Sequence, residues 1–284
     1  MDAPIKKIPY GMTNFESIIC DNYYYIDKTQ YITKVENTNN FFFFVRPRRF
    51  GKSLFLNMLG HYYDINEKDK FEEIFGELYI GKYPTPDRNK YLVLTLNFSS
   101  VAANMDRLEE TFNTYCKIVM DGFAERNVHL LGKEAVEKLH ELKTGDALLG
   151  SLCQSAQNKG QKIYLILDEY DNFANNILVD YGNKRYSNIT HDSGFFRSFL
   201  KVVKDYSSSV IERIFLTGVS PVTMDDLTSG FNIADNYSSN SAFNNMIGFN
   251  EYEVRSLIDY YKSCIELPHS TDELIDIMKP WYDN

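Results

Sequence analysis

Residues 41–54 narrow the fold more than any other stretch of the chain. Phe41-Phe42-Phe43-Phe44-Val45 is a short, wholly apolar run, the pattern of a strand covered on both faces. Arg46-Pro47-Arg48-Arg49-Phe50-Gly51-Lys52-Ser53-Leu54 follows, and after it the apolar residues Leu54, Phe55, Met58, Leu59 and Tyr62 recur at helical spacing. Strand, glycine-containing turn and helix opening on Gly-Lys-Ser is the context of a phosphate-binding loop. In such a loop backbone N–H groups and a helix N-terminus face the phosphates. Arg48, Arg49, Phe50, Gly51, Lys52, Ser53 and Leu54 are the expected nucleotide-binding residues. Lys52 reaches the β- and γ-phosphates and Ser53 ligates Mg2+. The usual motif has a glycine five residues before Gly51, where this chain has Arg46. Pro47 biases Arg46 toward extended backbone, so Arg46 closes the strand while the later amides remain.

A second half of the site lies at Ile163-Tyr164-Leu165-Ile166-Leu167, a strand running into Asp168-Glu169-Tyr170-Asp171. In an α/β sheet the C-terminal ends of the strands present the ligand site. Asp168 there is placed to hold the metal with Ser53, and Glu169 to polarise the attacking water. A fourth strand, Arg213 to Leu216, ends in Thr217-Gly218-Val219-Ser220, and Thr217 is the candidate sensor of the γ-phosphate. Tyr91 to Phe98 reads as the strand between. Met246 to Phe249 reads as a brief fifth strand.

Helices are expected over Asn14 to Ile19, from Thr29 toward Val35, and over Lys52 to Tyr63, Met105 to Val128, Lys133 to Leu142, Asp146 to Asn158, Phe195 to Tyr206 and Pro221 to Leu227. Asn250, with Glu253 three residues on, opens another as a capping box, and Ser270 opens a last one. Residues 174–193 read as a polar loop bordering the site. Tyr23 to Ile26 reads as an extended segment whose tyrosines either pack the surface or line the base side of a nucleotide.

Composition removes several classes. A net charge of −9 argues against a surface built to grip nucleic acid, although the loop itself is a basic patch. The four cysteines are widely spaced and the five histidines fall in no metal-ligand pattern, which suits free thiols in a reducing compartment. There is no signal-like apolar segment at the start and no run of membrane-spanning length, so a cytoplasmic location is expected and no membrane partner.

Taken together the residues resemble the bacterial AAA-ATPase-like family, common in gut anaerobes. The resemblance is carried by Tyr24-Tyr25-Ile26-Asp27-Lys28-Thr29, by Phe44 to Leu54 with its Arg-Pro in place of the first glycine, by Leu167-Asp168-Glu169-Tyr170-Asp171, by Thr217-Gly218-Val219-Ser220-Pro221, by Gly248-Phe249-Asn250-Glu251-Tyr252-Glu253-Val254, and by Trp281-Tyr282-Asp283-Asn284. It implies a P-loop NTPase, a three-layer α/β/α sandwich with a mainly parallel five-stranded sheet in the order 5-1-4-3-2 and a small C-terminal helical lid. Residues 1–40 would pack on the core, 41–249 form the ATPase core, and 250–284 begin a lid left unfinished. Members commonly continue into a domain resembling PD-(D/E)XK nucleases, which is absent here. The expected activity is Mg2+-dependent ATP binding and slow ATP hydrolysis. Glu169, Lys52 and Thr217 would be catalytic, and Ser53 and Asp168 would hold the metal. No arginine is plainly placed to stabilise the transferring phosphate; Arg197, Arg213 and Arg255 are candidates, as is an arginine from a neighbouring copy in a homo-oligomer. Two other readings stay open: a nucleotide-dependent switch acting on a C-terminal partner domain with little turnover, and a DNA-linked ATPase coupled to the nuclease-like domain.

Overall fold

Five short strands, all parallel, form one sheet in the order β2-β3-β4-β1-β5. This is the expected order 5-1-4-3-2 read from the other edge. The structure is a computed structural model that describes residues 4–101, 107–172, 194–220 and 233–282. The expected loop at 174–193, with His191 and Asp192, and the helix Pro221 to Leu227 lie outside the described residues.

Strand β1 (Phe41–Val45) sits between β4 (Ile211–Gly218) and β5 (Asp235–Asn236). Strand β3 (Ile163–Asp168) lies between β4 and β2 (Leu92–Asn97). One strand therefore separates the phosphate-loop strand from the acidic strand. The two-residue period of a strand sorts its side chains onto two faces. Phe42 and Phe44 enter one apolar cluster and Phe43 the other; Tyr164 and Ile166 join the first, Leu165 and Leu167 the second. Both faces are buried, which is why these strands read as unbroken apolar runs.

Helices cover each face. On one side lie α1 (Phe15–Cys20), α2 (Gln30–Glu36), α3 (Lys52–Tyr63), α4 (Phe71–Phe75) and α5 (Tyr79–Lys82). On the other lie α6 (Leu108–Arg126), α7 (Val128–Leu131), α8 (Lys133–Glu141), α9 (Gly145–Asn158) and α10 (Phe195–Tyr206). Helix α3 buries Phe55, Met58, Leu59 and Tyr62, as its periodicity predicts, while Leu54 is only half-buried. The last helices are α11 (Glu251–Cys264), whose capping box joins Asn250 and Glu253, and α12 (Thr271–Tyr282).

One local expectation is corrected. The fifth strand is Asp235–Asn236 rather than Met246 to Phe249. Its residues are exposed and polar, so they carry no apolar signal. It is held by backbone pairing to Phe42 and Phe43 and by Tyr237, whose ring stacks on Phe42 at 4.6 Å. At 246–249, Gly248 takes a left-handed φ of 84°, which ends any extended run. Tyr23 makes an isolated bridge to Lys7 within the expected extended segment. Its neighbours pack: Tyr25 meets Phe15 edge-on at 5.2 Å, and Tyr24 meets Tyr260 at 5.0 Å. At the start of α2 Asp27 accepts from Thr29 N at 2.8 Å and Thr29 Oγ1 at 2.6 Å, while Thr29 Oγ1 accepts from Ile80 N in the first turn of α5 at 3.1 Å.

The N-terminal segment touches α11 as well as the core. Lys28, buried, donates to Glu253 Oε1 at 2.5 Å and to the Asn245 carbonyl at 2.8 Å. Tyr261 donates to the Lys6 carbonyl at 2.7 Å. Among the described residues no helix is long and apolar enough to cross a membrane.

Candidate active site at the C-terminal edge of the sheet

The loop that leaves β1 is shaped by two left-handed residues, Arg49 at φ 69° and Gly51 at φ 91°. Backbone of this kind curls successive N–H groups into a concavity that suits an anion. A non-glycine residue pays for such a φ, and strained backbone of this sort gathers at functional sites. Gly51 is the N-cap of α3, and nothing lies within 4 Å of where a Cβ would stand on it. The glycine is there for its backbone, and the space above it is open.

Arg46 answers the missing glycine. Its N–H extends the β1–β4 pairing to the Gly218 carbonyl at 3.3 Å. Its guanidinium lies over the Phe44 ring at 4.2 Å and donates to the carbonyls of Val45 at 3.0 Å and Ser238 at 2.8 Å. The side chain thus ties β1 to the segment after β5.

Lys52 is 4% exposed. Its ammonium donates to the Arg46 carbonyl at 3.0 Å and the Pro47 carbonyl at 3.1 Å, and stands 3.6 Å from Glu169 Oε1. The loop wraps around its own cation, which fixes a positive charge at the mouth of the concavity. Ser53 Oγ donates to Asp168 Oδ2 at 2.7 Å. The lysine–serine pair of α3 and the acidic pair at the end of β3 therefore meet at one rim, as the sequence reading requires.

Asp168 is 2% exposed, and Asn97 Nδ2 donates to the same Oδ2 at 3.0 Å. The strand register sets Asn97 beside Asp168. The other carboxylate oxygen, Oδ1, is buried with no partner. Burial pushes the Asp168 carboxyl above the usual aspartate range, and Glu169 adds to this; the Ser53 hydrogen bond and the Lys52 charge pull the other way. An orphaned, desolvated oxygen beside a serine hydroxyl is a hard-oxygen donor set, and it fits Mg2+, which takes one or two carboxylates plus phosphate and water. A hollow of about 260 Å3, lined by Ser53, Asn57, Thr95, Asn97 and Asp168 among others, adjoins it.

Glu169 has φ 51°, a left-handed bend directly after the strand. The turn is clasped to β4. Asp171, fully buried, accepts from Ser220 N at 2.7 Å and Val219 N at 3.1 Å, and Tyr170 donates to the Ser220 carbonyl at 2.6 Å. Thr217 is fully buried and its hydroxyl donates to the Phe44 carbonyl at 2.5 Å, so in this arrangement it serves the β1–β4 pairing. Of the other loop residues, Arg48 and Arg49 are exposed, Phe50 is exposed beside Gly248, and Leu54 is half-buried.

Of the arginine candidates, Arg213 is corrected by its place. It lies near the start of β4, at the opposite end of the strand from Thr217, and is bound to Asp87 at 2.9 Å. Arg255 is held by Glu251 at 2.8 Å and Asp272 at 2.7 Å. Arg197 lies in the first turn of α10 and is itself engaged.

Sequence reasoning missed Asn97 and Asp171. Asn97 could have been found as the polar residue that ends an apolar strand. Asp171 had no signal apart from its place in an acidic turn.

Comparison with known proteins identifies the family. A protein from Azotobacter chroococcum mcd 1, described as an uncharacterized protein in the vnfD 5' region, is 28% identical over 280 residues, which is 98% of this chain and 48% of that protein. The chain thus spans about half the length of that relative. No solved structure matches it. The family model described as "Predicted AAA-ATPase" matches residues 9–228, and the chain belongs to this AAA-ATPase-like family.

Proposed function

We propose that this chain binds ATP with Mg2+ at the rim formed by α3 and β3, and hydrolyses it slowly. The observation that carries the reading is the meeting of Ser53 with Asp168 at 2.7 Å while Asp168 Oδ1 is left buried and unpartnered. Leaving an ionisable oxygen so is costly unless something completes it. Ser53 and Asp168 would hold Mg2+, which when bound supplies charge neutralisation of the β- and γ-phosphates.

The chain's own residues do the rest. The amides from Arg49 to Leu54 cradle phosphate oxygens at the N-terminus of α3. The Lys52 ammonium, given up by the Arg46 and Pro47 carbonyls and drawn away from Glu169, binds the terminal phosphates; the two carbonyls are neutral, and a phosphate oxygen forms the stronger bond. Glu169 orients a water and takes its proton at a carboxylate oxygen. Asn97 keeps Asp168 turned toward Ser53, and Asp171 keeps the Glu169 turn against β4.

The test is ATP binding by calorimetry with and without Mg2+, in wild type, Lys52→Ala and Asp168→Asn, followed by phosphate release in Glu169→Gln. Lys52→Ala should abolish binding and Asp168→Asn should remove its Mg2+ dependence. Glu169→Gln should bind ATP and release at least about 100-fold less phosphate, the range of general-base catalysis. Hydrolysis by Glu169→Gln at the wild-type rate would remove Glu169 from the role.

A second reading is favoured by one contact. The buried Lys28–Glu253 pair joins the N-terminal segment to α11, the first helix after the core. A chain that bound ATP with no phosphate release, yet changed the solvent protection of α11 on binding, would be a nucleotide switch.

A further inference from the structure

We propose that Arg48 is the arginine that stabilises the transferring phosphoryl group, supplied by the phosphate loop itself; the inference rests on the ATPase reading above. The other described candidates are placed elsewhere or committed. Arg213 stands about 13 Å of strand before Thr217, at the rise of a parallel β-strand, and is bound to Asp87. Arg255 is held between two carboxylates. Arg46 spends its guanidinium on two carbonyls and the Phe44 ring.

Arg48 differs in what it touches. Its Nη2 lies 3.4 Å from Asn172 Oδ1, and the Asn172 N–H closes the turn on the Glu169 carbonyl at 3.0 Å. The guanidinium therefore rests on the same turn that presents Glu169, across from Lys52, which approaches Glu169 to 3.6 Å. Its contact among the described residues is long and neutral, and a phosphate oxygen would outcompete an amide oxygen for it. Pro47 before it and the left-handed Arg49 after it restrict the backbone on either side. A lysine is a point charge that serves the bound phosphates at all stages. A planar guanidinium presents several donors at once to the equatorial oxygens, where charge spreads in the transition state.

The role divides binding from turnover. Arg48→Ala and Arg48→Lys are compared with wild type for ATP affinity, for kcat, and for capture of ADP with Mg2+ and aluminium fluoride, which mimics the transferring group without turnover. Both side chains are exposed, so folding should be unchanged, and a thermal melt checks it. Both variants should bind ATP within about fivefold of wild type, lose at least about 100-fold in kcat, a modest share of what a transition-state arginine supplies, and fail to capture ADP–aluminium fluoride. If wild type binds ATP in a Lys52-dependent way but Arg48→Ala captures the analogue and turns over within threefold of wild type, the inference falls and the ATPase reading stands. If wild type binds ATP but captures no analogue, the inference also falls. If wild type binds no ATP, both fall.

Discussion

Gly218→Ala should unfold the chain at a markedly lower temperature, and the reason is a single methyl group. A Cβ at Gly218 would lie 2.2 Å from Asp171 Oδ1 and 2.7 Å from Tyr170 Cε1. No real Cβ tolerates either contact, so the Asp171 carboxylate has to leave. Gly218 does not have a left-handed φ, so the cost is space and not backbone conformation. What the carboxylate abandons are the N–H groups of Val219 and Ser220, at 3.1 Å and 2.7 Å. Hydrogen bonds to a charged group are worth about 1.5–3 kcal/mol each, so their joint loss costs roughly 3–5 kcal/mol after some rehydration. For a chain of this size that corresponds to a fall in melting temperature of about 5–8 °C. The assay is thermal unfolding by circular dichroism, with Gly122→Ala in α6 as the control. A Cβ at Gly122 meets nothing within 4 Å, and the change should stabilise its helix slightly. Asp171→Asn keeps the shape and removes the charge, so it should fall between wild type and Gly218→Ala. A melting temperature for Gly218→Ala within about 2 °C of wild type, the effect of one weak hydrogen bond, would refute the claim that this clasp holds the acidic turn to β4.

Three further outcomes follow from the same contacts. Asp168→Asn should raise the melting temperature of the nucleotide-free protein while abolishing the added stabilisation that Mg2+ gives with ATP; because the fold raises this carboxyl's pKa, the penalty on its charged form is full above the folded value, fades as pH falls through it and is gone below the unfolded aspartate value, so the gain should shrink in acid, measured as melts across pH. Lys28→Met should leave the partly exposed Glu253 without its cation and cost about 1.5–3 kcal/mol, and hydrogen exchange should show the loss concentrated in α11, with Lys28→Met/Glu253→Gln recovering much of it. Burial pushes the Cys116 and Cys153 thiols up to about 12, so a thiol reagent at pH 8 should label Cys20 and Cys264 quickly and the buried pair only on unfolding; the fold should also lose stability as pH rises from about 9, the unfolded thiol value, toward 12.

The parts of this molecule that were legible in advance are those where burial and periodicity coincide. β1, β3 and α3 stood out because a parallel strand covered on both faces has to be apolar throughout, and because a helix against such a sheet repeats its apolar residues every three or four positions. The meeting of Lys52 and Ser53 with Asp168 and Glu169 followed from where parallel strands end. β5 was not legible, since two exposed polar residues gain their place from backbone pairing and from the Tyr237 ring on Phe42, neither of which is a pattern along the chain. Thr217 illustrates a subtler limit. Its position at the end of β4 was right, but whether a hydroxyl there looks outward or back into the sheet depends on which neighbour offers a carbonyl, and here Phe44 does. The arginine question turned on the same kind of information. Arg197, Arg213 and Arg255, residues on separate elements, were the candidates along the chain. The fold sends Arg213 to the far end of its strand and binds Arg255 to acids on α11 and α12, while Arg48, counted from the start among the loop residues, lies against the turn that carries Glu169. A residue's chemistry can be read from its type and spacing, but its direction is set by the contacts its neighbours leave open, and that is where this site had to be seen in three dimensions.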